Sequence, residues 1–231
     1  MIRTIMWGSG ADIKALLKQL PGERFQVVAF ICDDKENDFP YFPMMTSRDA
    51  FEKIPAGDYD AIFVANNTVK DIRSEAITIG FAAKKIITSF YFIQYISKLS
   101  DAQFISLSTV AWWYHSFEIL PGVTTPGTCI YKPWLLAWSE LNNLTGKNIL
   151  DIGAWDGPYT LEMTRRGANV TAFDIQPPEN SGFNTMKKVN GIDPKHINEN
   201  VYNLSPIRHG TYDLVTFLGV YYHSVSICQH K

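Results

Sequence analysis

Three carboxylates and a set of glycines in the second half of this chain have the types and spacing for ligand chemistry. The stretch Gly146-Lys-Asn-Ile-Leu-Asp151-Ile-Gly153-Ala154-Trp-Asp156-Gly157 carries an apolar strand into an acid and then into a glycine-containing turn. A second strand, Val170–Phe173, ends in Asp174, 23 residues after Asp151. Glycine at 153 and 157 lets the backbone approach a ligand. The carboxylates of Asp151 and Asp156 suit a cationic group such as an ammonium, and Asp174 is spaced to bridge the two hydroxyls of a ribose. The loop lacks the Lys-Ser/Thr pair of a phosphate-binding P-loop. A nucleoside with a cationic tail fits better than a di- or triphosphate.

A second glycine pair, Gly8-Ser-Gly10, lies between a strand and a helix near the start, and Asp33 closes the next strand. A helix amino terminus above such a turn attracts anions, and an acid about 20 residues on accepts ribose hydroxyls. Ile13 stands where a third glycine belongs, and Asp12 brings negative charge into the first helical turn. Two readings stay open: a nucleotide, nucleotide-sugar or NAD site built on Gly8, Gly10 and Asp33, or a Rossmann-like domain whose glycines only turn the chain.

The elements that must position these loops follow from hydrophobic patterning. Ile2–Trp7, Phe25–Cys32 and Asp60–Ala65 read as buried strands, with helices over Ala11–Leu20 and Val69–Phe81 and a strand onset at Lys85–Thr88. The alternation predicts βαβ units and a small parallel sheet over residues 1–96. Residues 97–145 are an aromatic- and turn-rich connector with Trp112-Trp113, a helix over Trp134–Leu141 and the run Pro121-Gly-Val-Thr-Thr-Pro-Gly127. Residues 146–231 open a second α/β unit: strand Asn148–Ile152, helix Thr160–Arg166, strand Val170–Phe173, a short strand near Glu199–Tyr202 and strand Asp213–Val220. The predicted class is α/β, with two Rossmann-like parallel sheets.

Composition narrows the function classes. The 231 residues are 46 % hydrophobic and 19 % charged, which excludes extensive disorder. Net charge is −2, and neither half is basic, so a broad nucleic-acid footprint is not expected. Cys32, Cys129 and Cys228 lie far apart with no C-x-x-C, which argues against disulfides and a zinc site and for a reducing compartment. His115, His196, His209 and His230 form no ligand pattern, so no metal is expected. No apolar run is long enough to span a bilayer. The expectation is a cytoplasmic protein with no membrane partner.

The second glycine loop resembles the S-adenosylmethionine site of class I methyltransferases. More closely, residues 116–223 resemble the family related to tRNA wobble-uridine (5-oxyacetic acid) methyltransferases. Four stretches carry the likeness: Pro121–Gly127, Asp151–Gly157, Val201-Tyr202-Asn203-Leu204 and Tyr212–His223. The resemblance implies S-adenosyl-L-methionine as cofactor, with Asp151, Gly153, Ala154, Asp156 and Gly157 at its methionine end, Asp174 on the ribose and Tyr202-Asn203 near the adenine. It also puts Gly219, Tyr222 and His223 at the end of the fourth strand, facing cofactor and acceptor, with His223 or Tyr222 as candidate bases. Asn203 stands where an acid is usual, and Ser224 stands where tRNA-modifying members carry Arg. With no basic patch either, the acceptor expected is a small molecule or sugar. The first domain resembles, loosely, the Rossmann-like domains of sugar-modifying enzymes, so the rival reading is a non-catalytic nucleotide or nucleotide-sugar binding protein.

A class I sheet runs 3-2-1-4-5-7-6, and the stretches above supply four strands. The second unit is therefore expected to be an incomplete, C-terminally truncated methyltransferase sheet. Its fourth strand is expected to be an open edge for self-association or pairing with a partner.

Overall fold

The computed structural model describes residues 1–32, 44–65, 69–132, 137 and 141–220, and the chain divides into two compact units, Met1–Ala111 and Trp112–Lys231. In the first unit β1 (Ile2–Gly8), β2 (Phe25–Ile31), β3 (Met44–Met45), β4 (Ala61–Ala65) and β5 (Ile86–Ile87) form a parallel sheet in the order β3-β2-β1-β4-β5. β1 and β4 sit inside that order and are buried almost throughout, as strands covered on both faces must be. The helices are α1 (Gly10–Leu17), α2 (Ser47–Lys53), α3 (Val69–Ile79) and α4 (Asp101–Ser108). Ile5, Trp7, Ile62, Val64 and Phe81 share one core.

Register explains the first glycine pair. Pairing of β1 with β4 sets Gly8 beside Ala65. A Cβ at Gly8 would stand 2.0 Å from the Ala65 carbonyl oxygen, so strand packing alone demands glycine. Ser9 caps α1: its Oγ accepts from the Asp12 N–H at 3.2 Å and donates to the Asp12 carboxylate at 2.6 Å. Gly10 is the buried first residue of α1. The helix terminus that would receive a phosphate thus already faces a carboxylate, and the turning role accounts for Gly8. Asp33 lies outside the described residues. Gly8→Ala is expected to destabilise the first unit by about 2 kcal/mol or more through this backbone clash, read by urea denaturation; wild-type stability would contradict the packing role.

The second unit opens with two small strand pairs. β6 (His115–Ser116) pairs in parallel with β9 (Cys129–Ile130), and β7 (Glu118–Leu120) pairs antiparallel with β8 (Val123–Thr124) about the Pro121-Gly122 turn. The main sheet follows: β10 (Asn148–Ile152), β11 (Asn169–Asp174), β12 (Lys195–Asn198) and β13 (Leu214–Phe217), all parallel, in the order β12-β11-β10-β13. Three helices alternate with them, α5 (Pro158–Arg165), α6 (Phe183–Asn190) and α7 (Pro206–His209). The strand order is the 3-2-1-4 portion of the expected class I sheet. Side chains of β10 alternate as the pleat requires: Ile149 packs with Met163 of α5, while Leu150 and Ile152 join Phe173 in a second cluster. Val215 and Phe217 of β13 are half exposed.

Several boundaries differ from the sequence reading: β13 covers Leu214–Phe217 rather than Asp213–Val220, α1 Gly10–Leu17 rather than Ala11–Leu20, and α3 ends at Ile79 rather than Phe81. The third strand lies at Lys195–Asn198 rather than near Glu199–Tyr202, because the ladder sets Asp174 opposite Asn198 and residues 201–203 curl into a 3₁₀ turn capped by Asn200. α5 begins at Pro158, not Thr160, because proline is favoured at a first helical position. The expected helix over Trp134–Leu141 falls largely outside the described residues. Among the described residues no helix is long and apolar enough to cross a membrane, and no cluster of three or more His, Cys, Asp or Glu could hold a metal.

Candidate functional site

The carboxyl ends of β10, β11, β12 and β13 open onto a cavity of about 690 Å³, within the range of cofactor and ligand sites. Ile152 and Gly153 come from β10, Phe173 to Ile175 from β11, Glu199 to Tyr202 from the turn after β12, and Leu218 to Val220 from beyond β13. The rest of the lining comes from Trp112, Tyr114, His115, Cys129, Ile130 and Lys132, together with Trp155 and Tyr159. Trp112, Ile130, Ile175 and Tyr202 are each more than half exposed, so the mouth is apolar.

Gly153 turns the chain out of β10 at φ +81°, and a Cβ there would lie 2.1 Å from the Val220 Cγ2. The bare backbone at this point lets the segment after β13 pack against the end of β10, with Val220 over the glycine. Asp174, 6 % exposed, ends β11 with its Oδ2 accepting from the Trp155 N–H at 2.9 Å and its Oδ1 from the Gln176 N–H at 2.8 Å. Each oxygen keeps a second acceptor site, and the residue lines the cavity. The strap to Trp155 holds that residue at φ +46°, unusual for a large side chain.

Asp151 and Asp156 sit behind the wall. Asp151 follows the pleat to the α5 side, where its oxygens accept from Thr160 Oγ1 at 2.6 Å and Thr216 Oγ1 at 2.7 Å. Burial pushes this carboxyl upward in pKa, against the two hydroxyl bonds that lower it. A raised folded pKa means the folded state holds the proton more tightly, so this group's contribution falls as pH rises through the carboxylate range. Asp151→Asn is expected to flatten that fall when urea midpoints are compared between about pH 4 and pH 7; an unchanged slope would contradict it. Asp156, fully buried, accepts from the amides of Tyr114 at 2.7 Å, His115 at 2.8 Å and Gly182 at 3.0 Å. It ties the glycine loop to the aromatic wall and to the start of α6.

Of the residues singled out in the sequence, Gly153, Asp174, Tyr202 and Gly219 meet at the cavity. Asp151, Ala154, Asp156 and Gly157 support it from behind: Ala154 is buried, and Gly157 starts α5 at φ +83°. Asn203 is exposed in the 3₁₀ turn, while Glu199 and Asn200 supply the polar wall there. Glu199 is held ionised, below the ordinary glutamate range, chiefly by His209 at 3.0 Å and then by Arg208 at 2.7 Å. Tyr222 and His223 lie outside the described residues. Sequence reasoning missed the wall of Tyr114, His115, Trp155 and Tyr159. The density of aromatics over residues 112–117 was the available signal.

Residues 150–228 match the family described as Methyltransferase domain, and residues 1–87 match the family described as C2185-like, N-terminal. Two curated relatives are each a ubiquinone biosynthesis O-methyltransferase. The protein from Nitrosococcus oceani is 32 % identical over 35 % of this chain and 34 % of its own length. The protein from Erwinia tasmaniensis is 30 % identical over 40 % of this chain and 39 % of its own length. The matched segments thus span little more than a third of those relatives. Among solved structures, dipicolinate synthase A chain from Bacillus subtilis aligns over 84 % of this chain and 66 % of its own at 14 % identity, with a TM-score of 0.21, too low to carry an argument.

Proposed function

We propose that the second unit is an S-adenosylmethionine-dependent methyltransferase site acting on a small acceptor. One observation carries this reading: the glycine turn after β10 and the Asp174 carboxylate after β11 meet at one cavity at the carboxyl end of a 3-2-1-4 sheet. The residues fit the cofactor. Gly153 lines the cavity where the methionine portion would lie, Asp174 has acceptor capacity for two ribose hydroxyls, and Ile175 and Tyr202 offer exposed apolar faces to the adenine.

When bound, the cofactor supplies a methyl group already activated on a sulfonium sulfur. The chain's task is then alignment of acceptor and donor, catalysis by proximity and orientation. The apolar, aromatic wall favours an acceptor with a flat apolar body, and the curated relatives named as O-methyltransferases favour oxygen as the methylated atom. A tRNA acceptor, the activity suggested by the wobble-uridine family, is disfavoured by the net charge of −2 and by Ser224. The nucleotide-binding alternative in the first unit is disfavoured because Asp12 occupies the α1 terminus.

Thermal melting tests the reading. S-adenosylmethionine and S-adenosylhomocysteine are expected to raise the melting temperature, while NAD and UDP-glucose leave it unchanged. Stabilisation by NAD or UDP-glucose alone would overturn the proposal.

A further inference from the structure

We infer that His115 is the proton acceptor for an aromatic hydroxyl methylated in this cavity. The inference rests on the methyltransferase reading above and concerns the acceptor side of the same site. His115 lines the cavity and its side chain is 13 % exposed. Its Nδ1 is buried without a hydrogen-bond partner, 3.6 Å from Oδ2 of the fully buried Asp156. With Nδ1 turned to that carboxylate, Nε2 is the nitrogen available to a molecule in the cavity. The Asp156 carboxylate thus places a negative charge on the side of the ring away from Nε2.

The backbone of His115 is clamped on every side, which is what a positioned base requires. Its N–H donates to Asp156 at 2.8 Å, and its carbonyl accepts from Thr125 Oγ1 at 2.7 Å. Thr125 Oγ1 also accepts from the Phe117 N–H at 3.0 Å. Gly127 packs so closely that a Cβ would lie 2.1 Å from the His115 carbonyl carbon, and Cys129 pairs with His115 across β6 and β9. The run Pro121–Gly127 thereby gains a purpose: its threonine and glycine hold one cavity histidine. Asp156 belongs to the glycine loop, so that loop and the base are positioned together.

The groups facing the imidazole set its electrostatics. Asp156 is nearest, Asp151 acts on it from behind, and the Tyr114 ring stands edge-on with centroids 4.7 Å apart. Tyr114 and Trp155 pack at 5.6 Å and Trp112 and Trp155 at 5.9 Å, a cluster of rings lining the same cavity as His115 that suits a planar aromatic acceptor. The step balances as follows. The acceptor oxygen forms a bond to the methyl carbon while its O–H bond breaks and the proton passes to Nε2. The carbon–sulfur pair stays on sulfur, so the positive charge moves from sulfonium to imidazolium, and the proton then leaves to water.

Nitrocatechol is the probe, because its ionisation is visible by absorbance. Wild-type protein saturated with S-adenosylhomocysteine is expected to bind it ionised at a pH where the free probe is largely protonated, and His115→Asn to lose that ionisation. With S-adenosylmethionine, kcat for nitrocatechol methylation is expected to fall about 100-fold in His115→Asn with KM little changed. The wild-type rise of kcat with pH should flatten in the variant. His115→Gln, closer in volume, must behave alike while both variants bind S-adenosylhomocysteine as wild type does. Retained kcat and pH profile in either variant would overturn the inference, as would wild-type protein that binds S-adenosylhomocysteine but not nitrocatechol. Wild-type protein that fails to bind S-adenosylhomocysteine overturns instead the reading on which the inference rests.

Discussion

Asp174→Ala is expected to weaken S-adenosylmethionine binding at least about 100-fold, the consequence of losing about 3 kcal/mol of charge-assisted hydrogen bonding. The carboxylate is 6 % exposed at the end of β11 and lines the cavity with acceptor capacity for two ribose hydroxyls. Alanine removes that capacity and also frees the Trp155 and Gln176 amides that the carboxylate holds. Asp174→Asn separates the two contributions: its amide oxygen keeps one acceptor, and an intermediate loss is expected. Calorimetric titration of each variant gives the affinities. Wild-type affinity in Asp174→Ala would remove the ribose assignment.

The largest effect on stability is expected at Asp156. Asp156→Ala leaves the amides of Tyr114, His115 and Gly182 without their acceptor in a fully buried place. Unpaired buried donors cost about 1–3 kcal/mol apiece before relaxation, so a loss of about 3–5 kcal/mol in the second unit is expected. Asp156→Asn keeps one oxygen and should lose less. Urea denaturation followed by tryptophan fluorescence reads the difference, because Trp112, Trp113 and Trp155 all lie close to these contacts. A variant as stable as wild type would show that the three amides find other partners.

How much of this was legible in the sequence depends on whether the partner of each residue was local. β10 and β11 were legible, because unbroken apolar runs ending in Asp151 and Asp174 are what doubly covered parallel strands look like. β12 was displaced by about four residues, because Lys195–Asn198 is polar and half buried, and only its register with β11 makes it a strand. Gly8 left two readings open, since its requirement comes from Ala65, far along the chain. Asp156 invited a cationic ligand by its neighbours, yet its partners at residues 114 and 115 lie 42 and 41 positions away. The aromatic wall escaped for the same reason: tertiary pairing of β6 with β9, not local spacing, brings His115 and Ile130 to the cavity.

The cavity at the carboxyl ends of β10 and β11 is proposed as a methyl-donor site. Isothermal titration of the chain with S-adenosylhomocysteine tests it most directly. Saturable binding of one molecule per chain is expected, lost in Asp174→Ala and retained in Gly8→Ala, whose clash lies within the first unit. Absence of binding to folded wild-type protein, or binding lost in Gly8→Ala and kept in Asp174→Ala, would contradict it.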